Sequence, residues 1–223
     1  MDLSKQLEFF DPAALRNEEV HIIGLGAIGS AVADLLAHMG VNNIHLYDFD
    51  TIEEHNLANQ NYTLNDIGNT KVLATATKIN EINTETTITL HEKGWRPNSQ
   101  LSGYIFLCVD NIDIRRAIVE ENEYNTQIKA MFDFRLGLQD AQHYACSWEE
   151  HDNIKKFLST MNFTHAEAKE AMPVSACGTT LSVIPTVRAI VALGMSNWIN
   201  FVKTGKLKTI ILMNAFTYQI TAF

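Results

Sequence analysis

The sequence predicts an α/β protein with a Rossmann-like, mainly parallel sheet, helices on both faces and an antiparallel C-terminal extension. Strand patterns alternate with helix patterns through the first 125 residues, which is typical of parallel strands joined by crossover helices. A glycine-rich turn at residues 24–29 follows the first strand, and the continuous apolar run at residues 104–109 indicates a strand covered on both faces. We expect one domain spanning residues 1–223, with the Rossmann-like part at about 18–125.

Hydrophobic periodicity predicts the elements of this first part. Asp11 followed by Pro12 is typical of a helix N-cap and first helical position. The predicted strands cover residues 20–23, 44–47, 86–90 and 104–109. The predicted helices cover residues 30–39, 71–82 and 112–123, and the polar stretch 51–70 is predicted to be irregular.

The remaining part, residues 126–223, has a different pattern. Two predicted strands at 128–134 and 139–146 pair about Gly137, and polar helices follow at 148–172. Thr164 and Glu167 have the spacing of a capping box. An apolar helix is predicted at 183–202, with a closing hairpin formed by residues 210–213 and 218–221.

Composition restricts the classes of function. The chain has 223 residues and a net charge of −9, which disfavours general binding to nucleic-acid backbones. An individual phosphate ligand remains compatible, because a helix N-terminus attracts anions locally. No apolar run is long enough to span a bilayer, and the N-terminus lacks a secretion-signal pattern, so we expect a cytoplasmic protein.

The cysteines predict neither a disulfide framework nor a zinc site. An odd count of three favours a reducing compartment. Cys108 is predicted to be core packing, and Cys177 an unreactive loop thiol, because no cation nearby lowers its pKa. His143 and Cys146 are three residues apart on a predicted strand, so their side chains point to opposite faces and form no metal pair.

The glycine-rich turn indicates nucleotide binding. Gly24 permits the tight turn, Gly26 allows close approach of a phosphate, and Gly29 allows the helix to pack on the strand. Free amides from Ala27 onward then face the anion. The ligand is predicted to be a dinucleotide or ATP.

Asp48 ends the second predicted strand, where a carboxylate accepts hydrogen bonds from ribose hydroxyls. This role fits NAD and ATP equally well. The alternative is that Asp48 caps the following loop.

Further motifs follow at characteristic spacings. The glycines extend to GxGxxGS, Asp48 begins a DxDxI pattern, Asn56 begins NLxxQ, Lys71 ends DIGxxK, and Asp110 with Asn111 follows the central strand. This set resembles the ThiF/MoeB superfamily of ubiquitin-activating-like adenylyltransferases, and the resemblance covers nearly the whole chain.

The resemblance implies transfer of AMP from ATP, with Mg²⁺, to the C-terminal carboxylate of a small ubiquitin-like or sulfur-carrier protein. In one branch of the family the substrate is a modified tRNA base. It also implies a homodimer formed near the last helix. The implied nucleotide-binding residues are Gly24, Gly26, Ala27, Gly29, Asp48, Asp50, Asn56, Asn59, Gln60, Lys71, Asp110 and Asn111.

Individual roles also follow from the resemblance. Asp48 binds the ribose, Asn56 contacts the phosphates and Lys71 neutralises charge on the triphosphate. Asp110 holds Mg²⁺, and Asn111 lies near the base. Lys71, Asp110 and Asn56 are thus the expected catalytic residues; the alternatives are a solvated surface lysine at 71 and a helix N-cap at Asp110.

The sequence departs from the family at two basic positions. Asn59 stands where NLxRQ has arginine, and the N-terminal RYxRQ motif is absent. Arg115 and Arg135 are candidates to replace the lost guanidiniums, which clamp phosphates in a way that asparagine cannot. The family's zinc-binding cysteine pairs are also missing, which again predicts no zinc site.

Two alternatives to the adenylyltransferase hypothesis remain open at this point. The missing arginines motivate a catalytically impaired member that keeps the fold as a nucleotide-binding or protein-interaction module. The GxGxxG turn and Asp48 motivate an NAD(P)-dependent oxidoreductase, although no substrate domain is recognisable.

Overall fold

A computed structural model describes residues 1–15, 17–171 and 182–223. Its described strands form one eight-stranded sheet in the order β3-β2-β1-β4-β5-β6-β7-β8. The strands are β1 Val20–Ile23, β2 Asn43–Tyr47, β3 Thr87–His91, β4 Gly103–Leu107, β5 Ile128–Leu136, β6 Asp140–Ser147, β7 Ile210–Asn214 and β8 Gln219–Ala222. The helices are α1 Ala27–His38, α2 Lys71–Ile82, α3 Ile112–Glu121, α4 His151–Ser159, α5 His165–Ala171 and α6 Ile184–Thr204.

The first five strands are parallel, and the strand order reverses beside β1. β1 pairs with β2 on one side and with β4 on the other. Segments that leave the carboxyl ends of β1 and β4 therefore diverge to opposite faces of the sheet, which opens a crevice between them. The Gly-rich turn after β1 and the Asp110 segment after β4 both border this crevice.

Helices cover both faces of the sheet, as the sequence predicts. One hydrophobic cluster joins the sheet to α1, α2 and α6 through residues such as Leu36, Val72 and Trp198. A second cluster on the opposite face includes Ile118 of α3 and Phe157 of α4. The Rossmann-like, mainly parallel fold class is confirmed.

The antiparallel C-terminal extension is also confirmed. β5 and β6 pair in register about Gly137, and β6, β7 and β8 continue the antiparallel ladder. The predicted capping box is present: the Thr164 backbone amide donates to Glu167 Oε2 at 2.6 Å, and the Glu167 amide donates to Thr164 Oγ1 at 3.2 Å. One sheet thus connects the two parts, and the expected domain limits stay a prediction.

The largest difference in the first part concerns the start of α1. The helix begins at Ala27, three residues before its predicted start at residue 30. Hydrophobic periodicity requires apolar side chains, and the glycine motif supplies few of them, although Gly29 is already helical. β4 also ends at Leu107, so Cys108 and Val109 lie beyond the strand.

α6 packs its apolar surface against its own chain. Val187, Ile190, Met195 and Trp198 are each at most 2% exposed and belong to the cluster beneath α6. This intrachain packing accounts for the apolar character of α6 without a second subunit. Among the described residues, no helix has the length and apolar character needed to cross a membrane.

Candidate nucleotide site

The turn at residues 24–29 requires glycine at two positions. Gly24 has φ +93°, and an added Cβ atom there would lie 2.7 Å from the Val109 backbone nitrogen. An added Cβ atom at Gly29 would lie 1.8 Å from the Gly24 carbonyl oxygen. Both glycines therefore allow β1, the start of α1 and the segment after β4 to approach one another closely.

Gly26 differs from the other two glycines because it faces open space. An added Cβ atom there would meet no atom within 4 Å. Gly26 is the N-cap of α1, and no side chain caps the helix. The first amides of α1, beginning with Ala27, therefore have no side-chain cap and form a surface suited to an anion.

Alanine substitutions at Gly29 and Gly26 are expected to have different effects. Gly29→Ala should lower the free energy of unfolding by about 1–3 kcal/mol, the usual cost of overpacking, because the new methyl group overlaps the Gly24 carbonyl. Gly26→Ala should leave stability nearly unchanged and weaken ATP binding. Denaturant unfolding and calorimetric titration with ATP measure the two effects.

Each variant is the control for the other, because both replace a glycine of the same turn with alanine. Equal losses of stability at Gly26 and Gly29 would contradict the packing described above. Unchanged ATP affinity in Gly26→Ala would show that the open side of the turn does not face the ligand.

Asp48 is buried at the carboxyl end of β2 and bonds to the glycine turn. Its Oδ2 accepts a hydrogen bond from the Leu25 amide at 2.6 Å, and its Oδ1 accepts one from the Asp50 amide at 2.9 Å. Burial raises the pKa of Asp48, and nearby Lys71 opposes that rise. The loop-capping alternative is therefore realised, and each oxygen of a carboxylate can still accept a further hydrogen bond.

Tyr62 is a supporting residue that sequence analysis missed. Its hydroxyl donates to the Leu25 carbonyl at 2.8 Å and lies 3.1 Å from Thr75 Oγ1 of α2. The Asn61 amide donates to Ser30 Oγ at 3.0 Å. These bonds fix the glycine turn to the irregular segment. In the sequence, the supporting role of Tyr62 was indicated only by its being an aromatic residue in a polar stretch.

Lys71 is buried at the start of α2, so the surface-lysine alternative is wrong. Its Nζ lies 2.7 Å from Asp50 Oδ2, and its backbone amide donates to the Asp50 carbonyl at 3.0 Å. The Lys71 side chain is 7% exposed, whereas that of Asp50 is 49% exposed. The ion pair holds the Lys71 ammonium group at Asp50, two residues after Asp48 in the chain. Because its side chain is half-exposed, Asp50 can rotate into solvent.

Asn56 is also buried, within a 3-10 helix at Glu54–Ala58. Its Oδ1 accepts a hydrogen bond from the Glu53 amide at 2.9 Å, which caps this short helix. The contact fixes the orientation of the side-chain amide. In the same segment, Gln60 Oε1 is buried without a donor among the described residues.

Asn111, and not Asp110, caps the amino end of α3. Asn111 is the N-cap of α3, and its Oδ1 accepts from the amides of Asp113 at 2.9 Å and Ile114 at 3.3 Å. The alternative in which Asp110 caps α3 is therefore wrong. Asp110 is exposed one residue earlier, because the chain turns into α3 only at Asn111.

Arg115 and Arg135 are not free to replace the missing arginines. The Arg115 guanidinium is buried and donates to the carbonyls of Val109 and Phe134 and to Asp133 Oδ1. Arg135 Nε donates to Asp133 Oδ2 at 2.8 Å. Asp133 is fully buried between the two arginines, and Arg115 holds the Val109 carbonyl next to Asp110.

Asn59 bonds across to the beginning of α6. Its Nδ2 donates to Ser182 Oγ, and nearby Arg188 Nη2 donates to Asn61 Oδ1 at 3.1 Å. Arg188 was not predicted, and its guanidinium lies beside the segment that carries Asn56 and Asn59. No motif marked it, because it lies inside an apolar helix.

The predictions for the described cysteines agree with the structure, and Cys177 lies outside the described residues. Cys108 is buried, and burial raises the pKa of its thiol. The His143 ring packs against Phe134 at a tilt, with centroids 4.5 Å apart, and Phe134 belongs to the cluster beneath α6, whereas Cys146 lies in the cluster on the opposite face. These two side chains therefore form no metal pair.

The sequence matches a known protein family over most of its length. The ThiF family matches residues 4–206. Ubiquitin-like modifier-activating enzyme 5 is 30% identical over 125 residues in Drosophila simulans and 29% identical over 121 residues in Dictyostelium discoideum. These matches cover 48% and 47% of this chain but only 31% and 32% of the relatives, so this chain matches about a third of their length.

Solved structures show the same fold at low identity. Escherichia coli MccB, solved with ATP, matches with a TM-score of 0.68 and 19% identity, over 95% of this chain and 64% of MccB. MccB has also been solved with AMPCPP and MccA, and it matches there with a TM-score of 0.67 and 19% identity over the same shares of both chains. PaaA matches with a TM-score of 0.70 and 14% identity, over 95% of this chain and 65% of PaaA.

Proposed function

The chain belongs to the ThiF family, and from this membership we propose that it is an ATP- and Mg²⁺-dependent adenylyltransferase. Its substrate is the C-terminal carboxylate of a small ubiquitin-like or sulfur-carrier protein. In the reaction, a carboxylate oxygen forms a bond to the α-phosphorus of ATP while the bond from that phosphorus to the β-phosphate oxygen breaks. The products are an acyl-adenylate and pyrophosphate.

One observation carries the proposal: a buried lysine beside an uncapped glycine turn at the carboxyl edge of the sheet. A lysine that is 7% exposed and has one half-exposed partner is costly to bury unless an anion also uses its charge. The open face of Gly26 and the uncapped start of α1 border the same crevice. Together they suit a polyphosphate better than a neutral ligand.

The roles proposed for the individual residues follow from their positions. Asp48 accepts hydrogen bonds from ribose hydroxyls, and the glycine turn binds phosphate oxygens through amides from Ala27 onward. Lys71, released from Asp50, stabilises the charge that develops on the departing pyrophosphate, and Asn56 orients the phosphates. Asn111 uses its Oδ1 to cap α3, so only its amino group is available to the base.

The donor set at Asp110 fits Mg²⁺. Asp110 is an exposed carboxylate at the carboxyl edge of the sheet, and no described cation pairs with it. Mg²⁺ in nucleotide sites takes one or two carboxylates and completes its shell with phosphate oxygens and water. When bound, the ion neutralises phosphate charge, and Arg115 keeps the Asp110 segment in place through the Val109 carbonyl.

Replacing Asp110 with asparagine is expected to weaken the Mg²⁺ dependence of activity. The asparagine amide has the shape of the aspartate carboxylate but no negative charge. About tenfold more Mg²⁺ should therefore be needed for half-maximal pyrophosphate exchange, which is the usual effect of losing one strong electrostatic contact. Asp113→Asn, on the exposed first turn of α3, is the matched control. An unchanged Mg²⁺ requirement in Asp110→Asn would remove Asp110 from the metal site.

Pyrophosphate exchange tests the whole proposal. Purified protein is incubated with ATP, Mg²⁺, labelled pyrophosphate and a panel of small ubiquitin-like and sulfur-carrier proteins that end in a free carboxylate. Label should appear in ATP only with a cognate carrier, and a carrier with an amidated C-terminus should be inactive. ATP binding without exchange for any carrier would contradict the proposed activity.

A second candidate function is a nucleotide-binding interaction module that has lost adenylation. Arg115 and Arg135 are both held by Asp133, so neither supplies a free guanidinium to the phosphates, and the Asn59 amide is bonded to Ser182. This candidate predicts tight ATP binding and no exchange. Pyrophosphate exchange above background in the panel would exclude it.

We also propose that the chain forms a homodimer, as the family resemblance implies. The buried apolar face of α6 gives no support for this, because its own sheet covers that face. Sedimentation equilibrium should give twice the 25.1 kDa chain mass. A chain that sediments as a monomer at micromolar concentration would contradict the proposal.

A further inference from the structure

A cluster of histidine and glutamate side chains lies on the α3 face of the sheet, at the amino end of β1 and the middle of β2. His21 of β1 and His45 of β2 are partners in the parallel register, and their rings stack with centroids 4.4 Å apart. Glu19, just before β1, reaches both rings: its Oε2 lies 3.1 Å from His21 Nε2 and its Oε1 lies 3.6 Å from His45 Nε2. The nucleotide site lies beyond the carboxyl ends of β1 and β2.

From this arrangement we propose that Glu19, His21 and His45 bind one zinc ion. One potential ligand atom from each of the three side chains lies within 4.8 Å of the other two, so a small movement brings all three to a common ion. Two imidazole nitrogens and one carboxylate form a ligand set that zinc accepts with an open fourth position for water. This proposal replaces the sequence prediction of no zinc site, which considered cysteine pairs and the pair His143 and Cys146.

The far nitrogens of both histidines already have partners, as metal-binding histidines usually do. His21 Nδ1 lies 3.0 Å from the Tyr47 hydroxyl, and His45 Nδ1 lies 3.2 Å from His91 Nε2. If each Nδ1 carries the proton and donates it to these partners, each Nε2 presents its lone pair toward Glu19; at His21 the Ser102 amide also donates a long hydrogen bond, 3.4 Å, to this nitrogen, and an ion would displace it. The ring orientations are thus fixed before any ion binds.

The carboxylate is oriented in a similar way. Ser102 Oγ donates to Glu19 Oε2 at 2.5 Å, which ties the segment between β3 and β4 to the cluster. A hydrogen bond to a ligating carboxylate fixes its direction. A bound zinc ion would therefore join β1, β2 and the Ser102 segment, so its effect should be to stabilise the amino end of the sheet.

An ion can reach this cluster from solvent. The His21 ring is fully buried, but the Glu19 side chain is 35% exposed and that of His45 is 15% exposed, which gives an ion a route from solvent.

The test is a zinc titration of the full chain after removal of metal with EDTA, in competition with a chromophoric chelator. The wild type should bind one zinc per chain with a higher melting temperature. Glu19→Gln keeps the Ser102 contact and should bind zinc more weakly, and His45→Gln more weakly still. Tyr47→Phe removes only the partner of His21 and should weaken zinc binding by about 10- to 100-fold.

His151→Gln is the matched control, because His151 Nε2 also lies 3.1 Å from a glutamate oxygen, on Glu123, but has no second histidine. It should bind zinc like the wild type. Far-UV circular dichroism in EDTA checks that each variant folds, and cobalt substitution should give visible absorption that Glu19→Gln weakens. A wild type that binds no zinc, or binds it no more tightly than His45→Gln and Glu19→Gln do, would overturn the proposal and leave a hydrogen-bonded polar cluster.

Discussion

Lys71→Ala is expected to reduce the rate of pyrophosphate exchange by about 10²- to 10³-fold, the usual loss when one preorganised group that stabilises transition-state charge is removed. Lys71 is the buried cation of the site, and its Nζ lies 2.7 Å from the half-exposed Asp50. In the variant, Asp50 can turn into solvent, so the fold should persist while the charge on departing pyrophosphate is no longer neutralised. The measurement is exchange with the carrier that supports it in the wild type.

Lys78→Ala provides the matched control on the same helix. Lys78 Nζ also pairs with an aspartate, at 3.1 Å from Asp66 Oδ2, but it lies two turns farther along α2. This variant should keep wild-type exchange and ATP affinity. If Lys71→Ala and Lys78→Ala behave alike, the charge of Lys71 has no role in the reaction, and the proposed mechanism is wrong.

Asp133→Ala is expected to lower the free energy of unfolding by about 3–5 kcal/mol, because removing one partner of a buried pair leaves the other charge uncompensated. Here two guanidiniums, those of Arg115 and Arg135, lose their common carboxylate. Without Asp133, Arg115 should hold the Val109 carbonyl less firmly, so that Asp110 is less well positioned. The Mg²⁺ concentration for half-maximal pyrophosphate exchange should therefore rise. Urea unfolding followed by circular dichroism gives the free energy.

Asp140→Ala is the control for this substitution. Asp140 begins the neighbouring strand β6, is exposed and accepts a hydrogen bond from Asn214 at 2.7 Å. Substitutions at such surface positions usually change stability by less than about 0.5 kcal/mol. A loss in Asp133→Ala no greater than that in Asp140→Ala would show that the buried carboxylate does not stabilise the two arginines.

The fold was predictable because its signals are local. The periodicity of Lys71–Ile82 gave both helix ends, since Thr70 caps the first turn and the apolar positions face one cluster. The start of α1 was not predictable by the same argument, because a helix whose first turn contains Gly29 lacks the apolar side chains that the periodicity detects. Strand order, including the reversal beside β1, needed the tertiary structure.

The candidate site was predictable only where a motif marks a residue. The motifs marked Asp48 and Lys71, but they gave no indication that Asp50 pairs with Lys71 or that Asn111 caps α3. Contacts between distant segments, such as Tyr62 with the Leu25 carbonyl, have no sequence signature. The cluster of Glu19 with His21 and His45 was not predicted for the same reason. The two histidines become neighbours only through the parallel register of β1 and β2, which has no signature in the sequence.

Calorimetric titration with ATP and Mg²⁺, run beside an identical titration with NAD, tests most directly whether this crevice holds ATP. We expect one ATP per chain, no heat from NAD, and weakened ATP binding in Gly26→Ala, whose added methyl group meets no protein atom within 4 Å. Saturable NAD binding with no ATP binding would contradict an ATP site in this crevice and favour an oxidoreductase.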